Sequence, residues 1–100
     1  SDAEFLDISS VGITLPAGEQ KGRAVELDVN YQNGNTVSFI VSSKDHALID
    51  YLDIGLKLED IQFYSPIAIF KGAGVICGKT QIAGGPKKGD YSLDIKIVSV

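Results

Sequence analysis

Arginine, histidine and cysteine each occur once in these 100 residues, and methionine and tryptophan are absent. The lone cysteine, Cys77, excludes an internal disulfide and with it a bridge-stapled secreted scaffold. It sits in the run Gly74-Val75-Ile76-Cys77-Gly78 with no histidine or cationic cluster beside it, so it reads as a small core residue rather than a reactive thiol. No basic segment followed by an apolar stretch opens the chain, so no signal peptide is read, and a reducing cytoplasm is the expected location. Opening on Ser1 rather than Met reads as a domain taken from a longer parent. The longest apolar runs, such as Pro66 to Phe70, fall far short of the roughly 20 residues of a membrane helix, so no direct membrane insertion is expected. Cationic charge is scarce as well. Nine basic against thirteen acidic residues leave a net charge of −4, which argues against affinity for nucleic-acid polymers.

What the chain does have is β-branched residues and period-two alternation. Ile and Val together supply 20 residues against seven Ala, a balance that favours strands. In 24–31, Val25, Leu27, Val29 and Tyr31 fall on one face and Glu26, Asp28 and Asn30 on the other. Asn33-Gly34 then gives the strongest short hairpin signal, and Val37, Phe39 and Val41 resume the alternation over 36–42. From Ser43 to Ile54 the pattern lapses into a loop or a single helical turn. Gly55 opens the next strand, and its inward face changes near Asp60, which implies a β-bulge. A long strand over 67–82 is interrupted by Gly72, Gly74 and Gly78, which let it bend as a small barrel requires. Ala83 to Gly89 is a hairpin loop, and the final strand spans 91–98. At the front, Phe5 to Ile8 and Val11 to Leu15 read as a strand pair or one bent strand. The total is six to seven antiparallel strands with little or no helix, a small barrel or sandwich.

Catalytic and metal constellations are thin. His46 and Cys77 lack the spacing of a zinc site, and Asp45, Asp50, Asp53, Glu59 and Asp60 lack the regular calcium-loop pattern, so they read as an acidic solvated face. No catalytic residues and no metal ligands are assigned. The segment 73–80 comes within one residue of a phosphate-binding loop, but Gln81 to Pro86 cannot form the helix that loop must open. Lys87 and Lys88, with Lys79 nearby, form a small cationic patch on a hairpin tip. It reads as solubilising.

In this order of strands, from about Gly22 to Val100, the chain resembles the PilZ domain, a bacterial barrel whose best-known members bind cyclic di-GMP. The resemblance implies a barrel over 22–100 preceded by an N-terminal strand or linker segment over 1–21, in a single compact domain overall. It also implies a ligand signature, R-x-x-x-R followed by [D/N]-x-[S/A]-x-x-G, whose two guanidinium groups stack on guanines and grip phosphates bidentately. Here Arg23 stands alone, with Glu19 where the first arginine would be. Twenty-two residues on, Asp45-His46-Ala47-Leu48-Ile49-Asp50 ends in aspartate where glycine is expected. Arg23, Asp45 and Ala47 are therefore the remnant ligand-binding positions. The two replacements add negative charge where a dianionic ligand would lie. A second register, Asp7-Ile8-Ser9-Ser10-Val11-Gly12, is an intact D-x-S-x-x-G. It would make Asp7, Ser9 and Gly12 the ligand positions of a genuine receptor, with arginines outside this chain.

The expectation is a non-catalytic bacterial regulatory or protein-interaction module, with no bound cofactor, no usual cyclic di-GMP site and a protein partner. An unrelated β-sandwich with an assembly or carbohydrate-contact role is the other alternative. It would expose some of Tyr31, Tyr51, Tyr64 and Tyr91 as a contact surface, whereas the barrel reading buries Tyr31 and Tyr91.

Overall fold

The computed structural model describes residues 7–100. Six antiparallel strands and one short helix follow in the order β1 (Ser10–Thr14), β2 (Ala24–Asn33), β3 (Thr36–Val41), α1 (His46–Tyr51), β4 (Lys57–Tyr64), β5 (Ile69–Gln81) and β6 (Tyr91–Ser99). The strands close into one barrel in the spatial order β1-β2-β3-β6-β5-β4. The small all-β barrel is therefore the fold, and the two packed sheets of a sandwich do not form. β1 lies within the first 21 residues and is a stave of the barrel, paired with β2 on one side and β4 on the other. Phe5 and Leu6, the front of the expected N-terminal strand, lie outside the described residues.

Alternation explains the core. Val11, Ile13, Val37, Phe39, Ile61, Phe63, Ile76, Leu93 and Ile95 are each at most 3% exposed and form one apolar cluster inside the barrel. Phe63 stacks on Phe70 from the next strand, ring centroids 5.7 Å apart. The β2–β3 hairpin turns on Gly34, whose φ of 61° is the left-handed conformation that glycine adopts without a Cβ clash. The lapse after β3 is α1, a single short helix. Asp45 caps it by accepting a hydrogen bond from the Leu48 backbone N–H. Leu48, Ile49 and Leu52 join the apolar cluster from this segment. Among the described residues, no helix is long and apolar enough to cross a membrane.

Bulges account for the departures from strict alternation. β4 shifts register against β5 between Leu58 and Ile61, at the expected change of face near Asp60. Glu59 and Asp60 there oppose the single residue Ala73. β2 shifts between Val29 and Tyr31, and this corrects an expectation: Tyr31 leaves the inward face and is 61% exposed. Tyr91 is half-buried. β5 shifts twice against β6, between Ala73 and Gly74 and between Ile76 and Gly78. Cys77 is the extra residue of the second shift. It is exposed rather than in the core, because a bulged residue has no partner opposite it and turns outward.

Of two smaller readings, the first holds and the second changes. Gly78-Lys79-Thr80 lies inside β5, so no helix follows the phosphate-loop look-alike. Lys79 does not join Lys87 and Lys88 in a cationic patch. Its ammonium group donates to the Ile49 carbonyl at 2.6 Å and to Asp53 at 2.7 Å, tying the end of α1 to β5.

Candidate functional site

β1 is short, and what happens at its two ends decides both candidate sites. At its far end Leu15 donates to the Arg23 carbonyl, so the turn over 16–22 returns the chain to β2 with Arg23 at its start. Asp45 stands at the start of α1, after β3. Residues 22 apart in sequence thus meet: the guanidinium of Arg23 donates to both carboxylate oxygens of Asp45, Nη1 to Oδ1 at 2.9 Å and Nη2 to Oδ2 at 2.6 Å. Nη1 also donates to Gln20 Oε1 at 2.6 Å. This is the bidentate geometry that recognises carboxylate or phosphate, and here the chain's own carboxylate fills it.

The pair sets its own electrostatics. Hydrogen bonds from Arg23 hold the Asp45 carboxyl below its ordinary range; partial burial opposes them, and the Leu48 N–H and the charges of Arg23 and His46 assist. A carboxyl lowered on folding contributes stability that is present above its unfolded pKa of about 3.9 and is lost as pH falls through the folded value. Asp45→Asn is therefore expected to flatten the acid limb below about pH 4 in a series of thermal melts, while the parent's melting temperature falls more steeply there.

Ala47, the third position singled out in the sequence, is half-buried on α1 and lines a hollow of about 400 Å3 with Leu15, Ala17, Glu19 and Tyr51. Arg23, Asp45 and Ala47 therefore share one end of the barrel. Asp45 and Ala47 lie at a helix start rather than on a strand. Glu19 and Asp50 are both exposed. Asp7 and Ser9 precede β1, at the opposite end from Arg23, and Gly12 is the central residue of β1. Asp7 is exposed, and Ser9 spends its backbone in the barrel, donating to Tyr64 O at 2.7 Å and accepting from Val29 at 2.9 Å. The open face of Gly12 is already covered, since a Cβ there would lie 3.3 Å from the Tyr64 ring. Among the described residues, no group of three or more His, Cys, Asp or Glu side chains could hold a metal ion.

A larger hollow, about 930 Å3, was not foreseen. β1 and β4 pair only over Ser10, Val11 and Gly12 against Tyr64, Phe63 and Gln62. Beyond Gly12 they part, so Ile13 and Thr14 face the first half of β4, Lys57 to Ile61, with no ladder between them. The bulge at Glu59 and Asp60 bends β4 at this place. The two hollows adjoin, because Pro16 and Tyr51 line both. Burial pushes the Tyr51 phenol above its ordinary range. The bulge was the one sequence signal for this slot, since the parting of two strands distant in the chain has none of its own.

No family model, curated protein or solved structure matches the chain.

Proposed function

We propose that this barrel is a non-catalytic bacterial regulatory or protein-interaction module of PilZ type that does not take cyclic di-GMP in that family's usual way. The engaged guanidinium of Arg23 carries the reading. A cyclic dinucleotide would have to break the two charge-assisted hydrogen bonds that Arg23 donates to Asp45 before this side chain could stack on guanine, and no second arginine is present to share the ligand. The vacated carboxylate would then face the incoming phosphates and repel them. An exposed, unpaired thiol at Cys77 suits a reducing cytoplasm.

Calorimetric titration with cyclic di-GMP tests this. No saturable heat is expected up to roughly 100 μM ligand, a free energy of binding weaker than about −5.5 kcal/mol. Micromolar binding that Arg23→Ala abolishes would overturn the reading. So would micromolar binding lost on changing Asp7 or Ser9, which would restore the receptor alternative.

A further inference from the structure

The slot between β1 and β4 is where the barrel's own hydrogen bonding stops short. Along β1, successive residues turn their backbone groups to opposite neighbours. Leu15 donates to the β2 side, so Thr14 directs its N–H and C=O into the slot. Across from it, Glu59 and Asp60 fall in the register break with β5 and have no ladder partner on β1. Guarding an exposed edge with a bulge and a lysine is common, and Lys57 stands here. A merely guarded edge faces open solvent, however, and this one faces a second wall across about 930 Å3, the size of a ligand cleft. Its charge is uneven. Glu26, Glu59 and Asp60 line it with Glu19 in the adjoining hollow, against Lys57 and Lys71.

We propose that this slot is a strand-docking site that takes an extended, net-basic peptide segment of a partner protein. Main-chain pairing to the free edge of β4 supplies the binding, as when a peptide adds a strand to a sheet, and alternate side chains supply selectivity. Basic side chains of the segment lie against Glu59 and Asp60. An apolar side chain at the end nearest Tyr51 enters the hollow beside Ala47 and Leu15. The assignment rests on the interaction-module reading above and names the chemistry of its partner.

The test is an amide-resolved NMR titration of the chain with an acetylated heptapeptide alternating valine and lysine. A valine–glutamate counterpart and two versions N-methylated at every second nitrogen, one in each phase, serve as comparisons. The expected result is movement of the Thr14, Glu59 and Asp60 amides. At least tenfold weaker binding is expected for the glutamate peptide, for one of the N-methylated phases, and for the exposed double variant Glu59→Lys/Asp60→Lys. Four results would each overturn the proposal: no movement at millimolar peptide, movement confined to another face, equal binding of both charge types, or indifference to both methylation phases. Movement of the same amides on concentrating the protein alone would assign the slot to a second copy of the chain and overturn the peptide occupant. These failures leave the cyclic di-GMP titration unaffected, so loss of this site and loss of the module reading are separately visible.

Discussion

Phe63→Ala is expected to cost about 3–5 kcal/mol of folding stability, the largest loss from any one residue considered. Phe63 is fully buried and stacks on Phe70, and it sits opposite Val11 in the three-residue ladder that joins β1 to β4. Truncation removes apolar surface from the core and leaves a hole walled by strands that cannot collapse without breaking the ring. A domain of this size has roughly 5–15 kcal/mol in total, so the variant would be marginal. Its melting temperature should fall by upwards of roughly 12 °C. Urea denaturation with the m-value held fixed checks the figure. Phe63→Leu, which keeps most of the volume, should lose much less, and an alanine variant within about 1 kcal/mol of the parent would show that the hole closes.

Gly74→Ala is the second, and it acts by the opposite mechanism. A Cβ at Gly74 would lie 2.5 Å from Ile95 Cγ2, 3.0 Å from the Lys96 carbonyl oxygen and 3.3 Å from Ile61 Cδ1. Ile95 is β-branched and fully buried, so it has little freedom to swing away, and the carbonyl belongs to the β5–β6 ladder. The strands must move apart, at about 1–3 kcal/mol for one added methyl group. Gly84→Ala is the matched comparison. Nothing stands within 4 Å of a Cβ there, and the change should stay within about 0.5 kcal/mol. Thermal melts of the two variants side by side decide whether this strand needs glycine for space or only for flexibility. Equal melting temperatures would refute the steric account.

Local rules carried much of this architecture. The β2–β3 hairpin was legible because alternation and Asn33-Gly34 agree, and the β4 bulge because Leu58 and Ile61 fall out of step. Tyr31 and Cys77 were misplaced for one shared reason. A bulge in β2 or β5 breaks the alternation of faces at the extra residue and beyond it, and nothing in the residues themselves marks where the extra one enters. α1 is too short to display helical periodicity, so Asp45 was visible as a spaced carboxylate and not as a helix cap. The resemblance to the PilZ signature brought Arg23 and Asp45 forward as candidates. That they satisfy each other depends on the return of the chain at Leu15, a tertiary fact. The slot beside β4 is least legible of all, because it is defined by hydrogen bonds that two distant strands do not make.

The ring depends on pairing distant positions, 12 with 62 and 36 with 96, while the β2–β3 and β4–β5 hairpins join near neighbours along the chain. Contacts between distant positions must wait until the intervening chain has lost much of its entropy, which places such topologies among the slower folders, in milliseconds to seconds. The first of these six staves to be synthesised must therefore wait for the fourth before it finds both its neighbours. Until it does, Val11, Ile13 and Leu15 remain wet, and the nascent chain carries an unsatisfied apolar edge through most of its assembly.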